Sequence, residues 1–200
     1  MSTRPRKPRD IPEATSQRLL EAAASEFNSQ GFGGTDTNRI ARRAGFAPQT
    51  FYRWFQDKVD IFIKTYERWQ HEEFGALNKL LAARASEARL AQAVVAHHKA
   101  YRVFRRSLRQ LSVENEAIRA ARARARLNQI AYVKSLSPNV VRDDASIAAV
   151  LLQTERLADA LAEGEFHDMG LNKKAGEESL ARLIHDLLTP GAVDSKRGNR

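Results

Sequence analysis

The chain is expected to fold as an all-α protein, with short helices near its N-terminus followed by a longer helical body. Two observations carry that expectation. Apolar residues recur at three- and four-residue intervals along most of the 200 residues. Glycine, proline, aspartate and asparagine stand where such stretches begin and end. The chain is long enough for one or two domains with a proper core, and its 42% hydrophobic content is ordinary for a soluble globular protein. Without cysteine there is no disulfide scaffold, cysteine-ligated zinc site or thiolate nucleophile. No apolar run approaches the ~18 residues of a membrane span, and the basic, proline-rich start resembles no signal peptide, so a cytoplasmic location is expected. The formal net charge of +9 favours an anionic partner.

Residues 1–12 hold Arg4, Arg6, Lys7 and Arg9 among Pro5, Pro8 and Pro12, a composition of a flexible basic arm that lies along phosphates or simply stays solvated. From Thr15 or Ser16 to Gln30, Leu19, Leu20, Ala23, Ala24 and Phe27 define a first helix that Gly31 stops. Phe32, Gly33 and Gly34 form the bend that follows. Asp36 can cap a second helix whose apolar face is Ile40, Ala41 and Ala44, and Gly45 ends it in a conformation that residues with a Cβ adopt at a cost. Pro48 starts a third helix to about Phe55, burying Phe51 and Phe55 and leaving Gln49, Thr50, Tyr52 and Arg53 nearer the outside.

Two short helices about a glycine turn make a helix-turn-helix, which lays its second helix in the DNA major groove. The exposed residue types suit that task. A glutamine both donates and accepts at an adenine edge, hydroxyls reach phosphate oxygens, and arginine serves either. The run from Ala22 to Lys58, with Phe27, Gly31, Phe32, Thr35, Ile40, Ala41, Ala44, Gly45, Thr50, Phe51, Tyr52, Phe55 and Lys58, resembles the N-terminal signature of the TetR (tetracycline-repressor) family. The resemblance covers roughly the first third of the chain. It implies a homeodomain-like three-helix head in which Thr37, Pro48, Gln49, Thr50, Tyr52, Arg53 and Lys58 face DNA, with Thr50, Tyr52 and Lys58 mainly on phosphate. Two departures stand out. Asp36 replaces a frequent threonine and brings negative charge toward the backbone, and Ala47 replaces a serine that would cap the recognition helix.

Asp57 caps the next helix, where Ile61, Phe62, Tyr66, Trp69, Phe74 and Leu77 run to about Leu81. Starting at the DNA end and finishing inside the body, this helix is the natural lever. Residues 87–136 form one or two long helices with a break near Ser112 and Asn115. Arg102, Arg105, Arg106, Arg109, Arg119, Arg122, Arg124 and Arg126 meet only Glu114 and Glu116 there. That excess reads first as a solvated basic face, next as a site for an acidic ligand, and last as a second nucleic-acid surface. Ser137, Pro138 and Asn139 break the chain before a helix from Asp143 or Asp144 to about Glu165. A loop with Asp168, Gly170 and Asn172 leads to a last helix ending at Leu188, and the tail from Ala192 is polar and expected to be disordered. The last two helices have broad apolar coverage, as when one face packs inside the subunit and another meets a second copy. The resemblance likewise implies a four-helix dimer interface, hence a homodimer.

No catalytic constellation assembles. His97 and His98 are adjacent, so on a helix they diverge by about 100° and cannot chelate as an i, i+4 pair does. His71, His167 and His185 are scattered, and Gly33-Gly34 lacks the following lysine of a phosphate loop. The expectation is therefore a regulator, not an enzyme, with no metal or cofactor. Its arm spans residues 1–12, its DNA-binding head 13–56, its effector-binding and dimerisation body 57–190, and its tail 191–200. Its partners are a double-stranded DNA operator, a small-molecule effector and a second copy. Expected DNA contacts are Thr37, Asn38, Pro48, Gln49, Thr50, Tyr52, Arg53 and Lys58. Expected pocket-wall residues are Tyr66, His97, Tyr101, Phe104, Gln129 and Tyr132. A non-specific architectural DNA binder and a helical small-molecule enzyme are the alternatives.

Overall fold

The computed structural model describes residues 12–136 and 142–189. The basic arm before Pro12, the break at Ser137 to Asn139 and the C-terminal tail lie outside the described residues. Within them the chain is helical throughout: α1 (Pro12–Gln30), α2 (Thr37–Arg43), α3 (Pro48–Phe51), α4 (Lys58–Ala82), α5 (Glu87–Ala100), α6 (Arg102–Glu114), α7 (Glu116–Leu136), α8 (Asp144–Glu163), α9 (Glu165–Asp168) and α10 (Lys174–Leu188). None of these helices is long and apolar enough to cross a membrane.

Helix α1 begins at Pro12, earlier than apolar spacing marks it, because a proline in the first turn sacrifices no hydrogen bond. Helix α3 is shorter than expected and ends at Phe51. The turns that follow, with Arg53 N–H on Thr50 O and Phe55 N–H on Phe51 O, still carry the chain round so that Phe51 and Phe55 are both buried. In place of one loop after α8, Gly164 at φ 87° ends that helix and the single turn α9 follows.

Between residues 87 and 136 there are three helices. The break at Asn115 falls where the sequence marks it, and the Asn115 side chain accepts the N–H of Ile118 at 3.1 Å to cap α7. The break at Tyr101 has neither glycine nor proline. The Tyr101 N–H is shared between the carbonyls of His97 and His98, both at 3.3 Å, so the chain bends without stranding a donor. Tertiary packing supplies the reason for the bend. Helix α5 sends Leu90, Ala91 and Val94 into a cluster with Ala158 of α8 and with Leu180 and Ile184 of α10. Helix α6 sends Phe104 and Leu108 the other way, into the core of the N-terminal helices.

That N-terminal core contains Leu19, Phe27, Ile40, Phe51, Phe55 and Phe62, and it is completed by Phe104, Leu108 and Ile118 from the body. Phe62 is its centre, edge-on to Phe27 at 5.0 Å and 4.7 Å from Phe104 between ring centroids. A third cluster joins Ile130 and Val133 of α7 to Ile147 of α8 and Leu187 of α10.

Candidate nucleic-acid interface and inner cavity

Helix α2 starts on Asp36, whose carboxylate accepts the Arg39 N–H at 2.8 Å. It ends on Gly45 at φ 79°, where Phe46 N–H returns to Ala41 O at 2.9 Å. Behind this turn, an Arg18 guanidinium N–H of α1 donates to Ala44 O at 2.8 Å, and the guanidinium lies over the Phe46 ring. Ala47 makes no capping bond to α3, and Pro48 occupies its first turn. A second tie runs through Glu26, buried in α1, which accepts from the Thr35 hydroxyl at 2.8 Å and from Arg43 Nε at 2.6 Å. Burial works against its negative charge, but Arg43 and Thr35 outweigh that and hold its carboxyl below the usual range. Helix α2 is thus tied to α1 by the Glu26 anion, and the turn that follows it by the Arg18 cation.

With this backing, Gln49, Tyr52, Arg53 and Asn38 are exposed, and Thr37, Pro48 and Thr50 are half-buried. The hydroxyls of Thr37 and Tyr52 lie 3.0 Å apart and bridge α2 to the end of α3. Two exposed neighbours escape notice in the sequence, Arg42 and Trp54, the latter because it sits among the core phenylalanines of its own turn. Lys58 is committed inward: its ammonium donates to Phe32 O at 2.9 Å and Thr35 O at 3.1 Å, 4.1 Å from the Phe32 ring centroid. It closes the α1–α2 bend and keeps a third N–H without a partner among the described residues.

In the body, the arginine run is not a free basic face. Arg105 has a side chain 2% exposed and donates to Asp159 at 2.5 Å and to Glu155 at 2.9 Å. Arg109 pairs with Asp159 and Glu163, Arg122 and Arg126 with Glu155, and Arg106 with Glu163. Glu155, Asp159 and Glu163 stand at four-residue intervals on α8, so one acidic stripe meets arginines from α6 and α7. His98 joins through Asp159 at 2.9 Å and Glu73 at 3.3 Å. Burial disfavours its imidazolium, yet these two carboxylates prevail and raise its pKa. Burial likewise opposes charge on Asp159 and Glu155, and the surrounding cations keep both carboxyls low. Arg102, Arg119 and Arg124 remain exposed.

Beside this cluster lies a cavity of about 130 Å³. Its walls are apolar toward Phe74, Leu77, Leu90, Val94, Ile184 and Leu187, and polar toward Tyr66, Gln70, Glu73, His98, Arg105, Arg126, Gln129 and Glu155. Of the residues the sequence offered as pocket wall, Tyr66, Gln129 and Tyr132 line it. The other three are spent elsewhere. His97 stacks on the Trp69 ring, Tyr101 donates its hydroxyl to Glu72, and Phe104 belongs to the N-terminal core. The polar wall residues Gln70, Glu73, His98, Arg105, Arg126 and Glu155 were not among those offered. Arg105 and Arg126 stood out only as part of the arginine run, and no sequence signal marks the other four, since their partners stand on other helices or a turn away. Among the described residues no group of His, Asp and Glu could hold a metal ion.

Two short helices about a glycine turn, with the second segment's polar residues exposed, give the head the geometry of a helix-turn-helix. The family described as "Bacterial regulatory proteins, tetR family" matches residues 19–65. The "Uncharacterized HTH-type transcriptional regulator YdgC" of Bacillus subtilis is 46% identical over 48 residues, 24% of this chain and 25% of that protein. The HTH-type transcriptional repressor SCO4008 of Streptomyces coelicolor is 37% identical over 57 residues, 28% of this chain and 30% of that protein. The chain thus matches between a quarter and a third of the length of these relatives. A Rhodococcus sp. structure assigned to the TetR family aligns over 88% of this chain and 100% of that one, with a TM-score of 0.67 at 16% identity, a likeness of fold. The head sequence thus resembles that of the TetR family, and the overall fold is that of a solved structure assigned to it.

Proposed function

We propose that the protein is a ligand-responsive repressor that binds a near-palindromic DNA operator as a homodimer and releases it when a small molecule fills the inner cavity. One observation carries this reading: Gln49, Tyr52 and Arg53 are exposed together on a segment whose preceding turn is held by Arg18 and whose partner helix α2 is tied to α1 by Glu26. Rigid backing is what base reading demands, because a misplaced hydrogen-bonding group discriminates poorly. Gln49 is assigned to a base edge, with Asn38 and Arg53 beside it, and Thr37, Pro48, Thr50 and Tyr52 to the flanking backbone. Lys58 gives its remaining N–H to a phosphate while holding the α1–α2 bend.

Two helices link the cavity to the head. Helix α4 starts at the Asp57 cap, and its Tyr66 and Trp69 line the cavity about 12 to 17 Å further along at 1.5 Å per residue. Helix α6 places Arg105 on the cavity, while Ser107 accepts the Phe32 N–H at 3.0 Å in the head. A ligand that prefers one spacing of the two heads needs only about 1.4 kcal/mol of differential binding to change operator affinity tenfold. Pairing through α8 and α10 would bury Leu152, which is 55% exposed. The two recognition segments would then meet half-sites ~34 to 36 Å apart or somewhat more.

Selection of bound sequences from a random DNA pool tests the reading directly. A two-fold symmetric site should emerge, and Gln49→Ala should weaken it by about 1 to 3 kcal/mol at one position per half-site. No preference over random DNA at fixed salt would point instead to an architectural binder.

A further inference from the structure

We infer that the molecule taken up by the cavity is uncharged and mainly apolar, the size of a single substituted ring, and carries a carbonyl-type acceptor that meets the Tyr66 hydroxyl. The inference rests on the effector reading above and deepens it.

Charge gives the first argument. The charged side chains on the cavity wall are Glu73, His98, Arg105, Arg126 and Glu155, and each already faces an opposite charge within the protein. Arg126, the least buried of the wall cations, is held by both Glu155 and the Gln129 carbonyl oxygen. Glu155 in turn accepts from Arg105, Arg122 and Arg126. An entering carboxylate would find no unclaimed cation and an entering ammonium no unclaimed anion. Either would have to be desolvated without compensation or evict a buried partner. An excess of arginine in the sequence therefore does not translate into an anion site.

Hydrogen bonding gives the second argument. Tyr66 is 6% exposed, and its oxygen accepts the Gln70 amide N–H at 3.0 Å, but its own proton has no acceptor among the described residues. Burial, first, and the neighbouring Glu155 charge push its pKa up to about 12, so it stays a donor. Trp69, one turn along the same helix and also on the wall, keeps a buried indole N–H with no partner. A ligand oxygen satisfies the Tyr66 donor at no cost in charge. Size gives the third: about 130 Å³ is close to the ~150 Å³ apolar cavity that holds benzene.

The test uses the full chain carrying Trp54→Phe, which leaves Trp69 as the sole tryptophan reporter. Methyl benzoate, benzoate, benzylamine and toluene share one ring and differ in charge and acceptor. Titrated at neutral pH and followed by Trp69 fluorescence and calorimetry, methyl benzoate should bind at least about tenfold tighter than benzoate or benzylamine. Tyr66→Phe should bring it within about twofold of toluene. The order of the four probes on the unaltered pocket stands even if Tyr66→Phe folds poorly. Benzoate or benzylamine binding as tightly as the ester would overturn the inference, and so would an ester unaffected by a folded Tyr66→Phe or binding by none of the four. Ester binding that leaves operator affinity unchanged supports the cavity assignment and counts against the regulatory reading instead.

Discussion

In the head, Phe27, Phe51, Phe62 and Phe104 pack ring against ring, and the one buried carboxylate among its described residues, Glu26, serves to tie α1 to α2. In the body, Arg105, Asp159, Glu155 and His98 lie buried or nearly so beside a cavity, held by partners 25 to 61 residues apart. A close-packed aromatic core has one good arrangement, because shifting any ring opens a void. A cluster of ion pairs can exchange partners at lower cost while each charge stays compensated. On the proposed effector reading, the contrast would let the body shift while the head keeps one shape.

The largest effect should come from two adjacent arginines. Arg105→Met strips a buried network of its central cation and should cost about 3 to 5 kcal/mol in denaturant unfolding. Arg106→Met, with a side chain 59% exposed, should cost well under ~1 kcal/mol. Equal losses at the two sites would erase the distinction between paired interior and solvated face. Smaller is the effect of Gly45→Ala in the head. The left-handed φ of 79° alone costs a non-glycine residue about 1 to 2 kcal/mol, and the new Cβ would meet an Arg18 nitrogen at 2.9 Å. Operator affinity should fall along with stability, since Arg18 would have to leave the turn; stability loss with unchanged operator affinity would show that this clamp does not matter to recognition.

The smallest effect is a pH dependence. The raised pKa of His98 makes its contribution complete below the unfolded value of about 6.5 and lost as pH rises through the higher folded value. Burial lowers the pKa of neighbouring His97, which gives the opposite slope, so the informative quantity is the difference in Tm between the natural chain and His98→Asn. That gap should be widest in mild acid and narrow toward alkaline pH. A gap that stays constant would mean His98 is held by packing and not by charge.

The head was largely legible in the sequence because its instructions are local. Asp36, Gly45, Pro48 and Asp57 each act within a turn of where they stand, and their roles at the helix ends follow from their chemistry. The body was legible in outline only. The period of a helix tells which face is buried, not what buries it, so His97, Tyr101 and Phe104 looked as eligible for the cavity as Tyr66, Gln129 and Tyr132. The arginine run looked unpaired because its carboxylates wait on α8. The bend at Tyr101 carries no breaker residue because two cores pulling on neighbouring helices impose it.

Because Phe104, Leu108 and Ile118 close over Phe62, the reading unit is not separable at the residue where its sequence signature stops. An excision near position 56 would peel α4 and α6 from the phenylalanines they cover, leaving a fragment with an open greasy flank. Chimaeras that transplant this DNA specificity onto another sensor must therefore carry α4 and α6 with the graft, or rebuild the matching surface in the recipient.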